Sequence, residues 1–89
     1  MPEALVCVNT NLNSTEEVYR ELKACPEIKE IFKVQGIYDI IARVRGENFE
    51  DLVNIVNRRI KRLNQVQTIL SMMIIEPKKS VQNDGLLTV

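Results

Sequence analysis

The stretch that decides the fold is Ile28–Arg45, IKEIFKVQGIYDIIARVR. It holds two runs rich in β-branched and aromatic residues, Ile28–Gln35 and Tyr38–Arg45, separated only by Gly36-Ile37. That spacing predicts two consecutive strands joined by a tight turn. Upstream, Leu5–Asn9 (LVCVN) reads as a short buried strand. A helix over about 15–24 follows: Ser14 with Glu17 forms a capping box, Val18, Leu22 and Cys25 share one helical face, and Pro26 ends the element. Downstream, Asn48 with Asp51 three residues later marks a second helix start, and Leu52, Val53, Val56, Ile60 and Leu63 trace its apolar stripe. Asn64-Gln65 breaks the pattern, and Val66–Ile75 is a final strand ending before Pro77.

The order is therefore βαββαβ, which predicts an α+β, ferredoxin-like sandwich with a four-stranded antiparallel sheet. Right-handed crossovers place both helices on one face of that sheet. Along Tyr38–Arg45 one side carries Tyr38, Ile40, Ala42 and Val44, and the other carries Asp39, Ile41, Arg43 and Arg45. In the last strand both sides are apolar: Leu70, Met72 and Ile74 against Ile69, Met73 and Ile75. Helices on one side alone do not call for two apolar faces. A second copy of the sheet is the simplest cover, giving a dimeric α/β-barrel. Residues 1–76 are expected to form the single domain, with 77–89 as a C-terminal tail or an arm laid on a neighbour.

Composition removes several function classes. The 89 residues carry 12 Lys plus Arg against 12 Asp plus Glu, so the basic excess that drives direct nucleic-acid binding is missing. No apolar run is long enough to span a bilayer and Met1–Val8 lacks the pattern of a secretory signal, so no membrane contact and a cytoplasmic location are expected. The absence of histidine excludes Ser-His and Cys-His nucleophilic pairs and the commonest zinc sites. Cys7 and Cys25 form no CxxC and read as buried thiols rather than a disulfide. No enzyme, cofactor or metal is expected.

Individual motifs are weighed against plain structural roles. Val34-Gln35-Gly36-Ile37 resembles the phosphate loop of acylphosphatases, but Ile40 stands where their essential Arg would be, and the motif follows the second strand rather than the first. RNA-recognition domains share the topology but need stacking aromatics on the central strands, and this chain has 2 Phe and 2 Tyr in all. Arg58, Arg59, Lys61 and Arg62 read as solvated charges complementing the helix dipole, and Met72-Met73 as core or interface filler. Gln35–Asp39 is the best candidate site. Gly36 allows close backbone approach, and Asp39 after the turn supplies a carboxylate for an ammonium, beside exposed N–H groups for a carboxylate. The plain alternative is that Asp39 pairs with an Arg or caps the turn.

These residues carry a resemblance to the effector-binding (RAM) domain of the Lrp/AsnC regulators. Pro26-Glu27-Ile28 leads into Ile31-Phe32-Lys33-Val34-Gln35-Gly36-Ile37-Tyr38-Asp39-Ile40, similar to the family's V-x-G-x-[YF]-D-[YI], and the match runs from about Leu5 to Glu76. Two departures stand out. No room precedes Leu5 for the family's helix-turn-helix, so a stand-alone effector domain without its own DNA-binding motif is expected. Where the family often shows Thr-x-Thr, Ile69-Leu70-Ser71 keeps a hydroxyl only at Ser71.

The resemblance implies a homodimer assembling into a ring, such as an octamer or decamer, that binds a free amino acid between dimers. By position it nominates Gly36, Ile37, Tyr38 and Asp39 from one subunit, with Ile69 and Ser71 from a neighbour. Ile69 in place of Thr favours aliphatic or aromatic amino acids over Asn or Gln. The implied role is to modulate transcription of amino acid metabolism. The alternative is an assembly partner with no ligand of its own, forming mixed oligomers with full-length Lrp/AsnC regulators.

Overall fold

A computed structural model of the protein describes residues 1–74. The elements are β1 (Glu3–Thr10), α1 (Thr15–Lys23), β2 (Ile28–Lys33), β3 (Ile40–Arg45), α2 (Phe49–Ile55), a π-helical segment (Val56–Lys61) and β4 (Val66–Ile74). All strand pairs are antiparallel and the sheet order is β2-β3-β1-β4, so the expected α+β, ferredoxin-like topology is present. The expected end of the last strand at Ile75, the domain boundary at residue 76 and the tail 77–89 lie outside the described residues.

Strand alternation builds the core. Ala4, Val6 and Val8 of β1 and Ile40, Ala42 and Val44 of β3 are fully buried, and on the helix side they meet Val18 and Leu22 of α1, Leu52 and Ile55 of α2, and Val56 and Ile60 of the π segment. With period 2, one shared register puts a whole row on one face. The opposite face bears no helix. There Cys7 pairs with Ile41 and Leu70, and Ile41 with Phe32, so Phe32, Ile41, Cys7 and Leu70 form an apolar row across all four strands. The next row runs Glu30, Arg43, Leu5, Met72. Phe32, Leu70 and Met72 remain 51%, 45% and 46% exposed.

Several local expectations are corrected. The β2–β3 connection is not a two-residue turn at Gly36-Ile37: Val34 N–H donates to the Asp39 carbonyl (2.9 Å), closing a loop over Gln35–Tyr38. Strand β2 accordingly stops at Lys33 and β3 starts at Ile40. Ser14 does not cap α1 with its side chain. Asn13 takes a positive φ of 66°, which delivers Ser14 in a helical conformation, whereas a capping side chain needs an extended backbone. Glu17, the other half of the expected box, instead accepts from Gln65 Nε2 at 3.1 Å.

At α2 the expectation holds. Asn48 is extended and its Oδ1 accepts from Asp51 N–H (2.8 Å), while Asp51 Oδ2 accepts in return from Glu47 N–H (2.9 Å). The buried stripe differs at one turn: Ile55 is buried and Val53 is 38% exposed. Cys25 lies beyond the end of α1, half-buried rather than on its inner stripe, and both cysteines are free thiols. Burial pushes the Cys25 thiol up from its ordinary value. Among the described residues no helix is long and apolar enough to cross a membrane.

Candidate functional site

The loop Val34–Asp39 hangs from the junction of β3 and β1. Asp39 N–H donates to the Val8 carbonyl (3.0 Å), which extends the β1–β3 ladder by one bond. Asp39 Oδ2 then accepts from the Thr10 backbone N–H at 2.9 Å and from the Thr10 hydroxyl at 3.3 Å. Thr10 is itself 8% exposed, and its Oγ1 lies 2.7 Å from Thr15 Oγ1. Asp39 therefore does not stand out on the open sheet face, as alternation along its strand suggested. It belongs to the loop and ties that loop to the end of β1. Both bonds go to one oxygen, and Oδ1 has no protein partner among the described residues. The carboxylate is oriented by the protein on one side and available on the other.

Gly36 sits at φ +144°, a conformation that L side chains rarely adopt, and a Cβ there would meet no atom within 4 Å. The requirement for glycine is thus one of backbone conformation rather than of space. Ile37 is 85% exposed, while Tyr38 and Asp39 are half-buried. The loop carries an exposed apolar side chain, a positioned carboxylate and a glycine at positive φ.

The remaining predicted residues, Ile69 and Ser71, lie elsewhere. In register, Ile40 faces Val8 and Val8 faces Ile69, so β1 stands between the loop and β4. Ile69, Ser71 and Met73 point to the helix side of this edge strand, against the row Val53, Asn57 and Lys61. With Val56 these residues line an open groove of about 260 Å³ between the helix and β4. No residue of 36–39 lines it. Within one chain the loop residues and Ile69 with Ser71 therefore lie in two separate places. The spacing of four in Val53, Asn57 and Lys61 was visible in the sequence, but the strand it would face was not.

The open sheet face carries an ion-pair network beside its apolar rows. Glu3 Oε2 accepts from Arg43 Nη1 (3.0 Å), Arg45 Nη2 (2.9 Å) and Arg45 Nε (3.0 Å), and Arg43 Nε donates to Glu30 at 2.9 Å. The Arg45 hydrogen bonds, seconded by Arg43, hold the Glu3 carboxyl below the ordinary glutamate range against a smaller opposing effect of burial. Of the basic run, Arg59 pairs with Glu27 (3.3 Å), Arg62 Nε donates to the Arg58 carbonyl (2.7 Å), and Lys61 lines the groove. The run is thus mostly structural, as its position at a helix end suggested. Among the described residues no three His, Cys, Asp or Glu side chains are grouped to hold a metal.

The family model of the Lrp/AsnC ligand binding domain matches residues 3–83. The chain belongs to this family. FFRP-DM1 is similar to this Lrp/AsnC domain at 31% identity, with a TM-score of 0.81, over 84% of this chain and 100% of that one. The hypothetical protein PHS023 from Pyrococcus horikoshii is likewise 31% identical, with a TM-score of 0.80, over 84% of this chain and 90% of that one. A transcriptional regulator from Neisseria meningitidis, NMB0573, solved as an L-Met complex, shares the fold at 16% identity and a TM-score of 0.74, over 83% of this chain and 49% of that one. No curated protein matches the sequence. By family the domain is therefore a regulatory, effector-binding one.

Proposed function

We propose that this Lrp/AsnC domain binds a free amino acid with an aliphatic or aromatic side chain, and that it self-associates to complete the site. The observation that carries the reading is Asp39: its Oδ2 is anchored on Thr10 while Oδ1 has no protein partner, which suits an α-ammonium held by a pre-oriented carboxylate. Gly36 leaves loop N–H groups approachable for the α-carboxylate. Gly36, Ile37, Tyr38 and Asp39 of one subunit form the head-group half, and Ile69 and Ser71 of a neighbour form the side-chain half. A neighbour is required because β1 separates the two halves within one chain. The apolar row Phe32, Ile41, Cys7 and Leu70 supplies the surface for a dimeric barrel, and assembly of dimers into an octamer or decamer brings the half-sites together. The L-Met complex of the Neisseria regulator supports an amino acid as the ligand class. The domain works in the cytoplasm by modulating transcription of amino acid metabolism with DNA-binding relatives, and it performs no catalysis.

The test is a thermal-shift and calorimetric panel of the twenty amino acids on the native chain, repeated with Asp39→Asn. A ligand at about 100 times its Kd adds roughly 2.7 kcal/mol, a rise of the order of ten degrees in a domain of this size. The expected result is a selective response to Leu, Ile, Met or Phe that Asp39→Asn abolishes. Tight binding of Gln with none of Leu, Ile or Met overturns the side-chain preference. A flat panel overturns the effector reading and favours an assembly partner that forms mixed oligomers with full-length regulators.

A further inference from the structure

In the order β2-β3-β1-β4, β2 is an edge strand, and among the described residues nothing pairs with its outer side. Such edges accept a further strand unless they are covered, shortened or charged. Val34 N–H donates to the Asp39 carbonyl (2.9 Å), and Lys33 and Phe32 stand opposite Ile40 and Ile41. Alternation along an antiparallel ladder then turns the Phe32 amide toward β3 and the amides of Ile31 and Lys33 outward.

A cavity of about 410 Å³ runs along this edge, lined by Tyr19 and Lys23 of α1 and by the consecutive residues Ile28–Phe32. Consecutive strand residues point to opposite faces, so a cavity that touches all five borders the backbone edge and not one face. Tyr19, Ile28 and Ile31 pack half-buried against the core on its helix side, and Phe32 is exposed on the other. The slot is thus apolar on both sides. Lys23 Nζ lies 5.5 Å from the centre of the Tyr19 ring, and Lys29 Nζ donates to the Pro26 carbonyl (3.0 Å). Neither ammonium pairs with a carboxylate among the described residues. Glu30 is taken by Arg43 at 2.9 Å, and Lys33 by Glu16 at 2.6 Å. The start of β2 therefore carries uncompensated positive charge.

We infer that this slot is the docking site of residues 84–89 of the same chain, DGLLTV, added along β2 as a fifth strand. These residues lie beyond the stretch 3–83 that matches the family. They offer one acid, no cation and no proline, with apolar side chains at both parities in Leu86, Leu87 and Val89. The preceding stretch fits worse: Pro77 has no N–H to donate, and Lys78 and Lys79 would meet Lys23 and Lys29. The reach is sufficient. Ile74 pairs with Glu3, Glu3 with Arg45, and Ile28 with Val44, so β4 ends at the end of the sheet where β2 begins. Three strand spacings separate them, about 14 Å, and the nine residues 75–83 span up to about 30 Å. Entering there, the segment runs parallel to β2. Asp84 comes first, at the Lys23 and Lys29 end, and the apolar residues follow along Ile31 and Phe32.

Residue-resolved amide exchange by NMR on the full chain tests this, comparing native protein with the double variant Leu86→Asp, Leu87→Asp. The expected result is that Ile31 and Lys33 amides exchange about tenfold or more faster in the variant, while the amides of Val6 and Ala42 in β1 and β3 keep their rates. Lys29→Glu should speed the same two amides, and Lys29→Glu with Asp84→Lys should slow them again. Equal exchange of Ile31 and Lys33 in native and double-variant chains overturns the inference, as does a failure of the charge swap to restore protection. Isotope-labelled double variant mixed with unlabelled native chain should stay unprotected. Protection regained in that mixture means that the segment docks on a second copy, and overturns the assignment to the same chain.

Discussion

Replacing Asp39 by Ala removes the side-chain acceptor of the Thr10 backbone N–H, which Oδ2 meets at 2.9 Å. Thr10 is 8% exposed, so its N–H loses a partner in a place where water reaches poorly. The Thr10 hydroxyl keeps Thr15 at 2.7 Å, which leaves one donor orphaned and not two. An unsatisfied buried donor costs about 1–3 kcal/mol. In a domain of this size each kcal/mol is worth roughly 4–8 °C, so Asp39→Ala should lower Tm by the order of ten degrees. Asp39→Asn keeps an oxygen acceptor at the same place. It loses only the charge-assisted part of the bond, about 1 kcal/mol or less, and should melt within roughly 5 °C of the native chain. The assay is thermal and urea unfolding of the three proteins at one fixed protein concentration, because self-association makes Tm depend on concentration. An Asp39→Ala melt within about 2 °C of native, or an Asp39→Asn loss as large as that of Asp39→Ala, would refute the assignment of Asp39 as an anchor of β1. The pair also separates two jobs of one residue. Asp39→Asn is the variant in which loss of ligand binding reports on the ammonium and not on the fold.

Two further outcomes follow from the geometry. Gly36→Ala places a Cβ in open space but at φ +144°, so it should destabilise by roughly 1–3 kcal/mol in urea unfolding and weaken amino acid binding; an unchanged midpoint would mean the loop relaxes freely. Glu3 is held below the ordinary glutamate range by Arg45 and Arg43, so its contribution is complete at neutral pH and is lost as pH falls from about 5 through its own lower value; stability of Glu3→Gln measured across that window should fall less steeply with acid than that of the native chain, and parallel slopes would contradict the pairing.

The element order and both faces of the sheet were legible in the chain because they depend on period alone. Alternation in Tyr38–Arg45 sorted Ile40, Ala42 and Val44 from Ile41, Arg43 and Arg45, and the first three are fully buried. The doubly apolar run Val66–Ile75 pointed to a helix-free face, where Leu70 and Met72 stand about half exposed. Asn48 announced α2 because a cap and its N–H partner lie three residues apart. The failures are also local in origin. The capping box at Ser14 had the right residue types, but Asn13 at φ 66° set the backbone before Ser14 could cap. The turn at Gly36 was drawn too tight because composition marks where a turn falls and not which pair of residues closes it.

By itself the sequence determined a βαββαβ chain with one buried helix-bearing face, one apolar face without helices, and a connection carrying Gly36 and Asp39 between the second and third strands of the chain. Only the tertiary structure decided that Asp39 is held by Thr10, 29 residues away, and that Val53, Asn57 and Lys61 meet Ile69, Ser71 and Met73 across a groove. The physical reason is that a periodic pattern specifies which way a side chain faces along its own element. Which element it faces is set by strand register and helix placement, and those follow from the packing of the whole core.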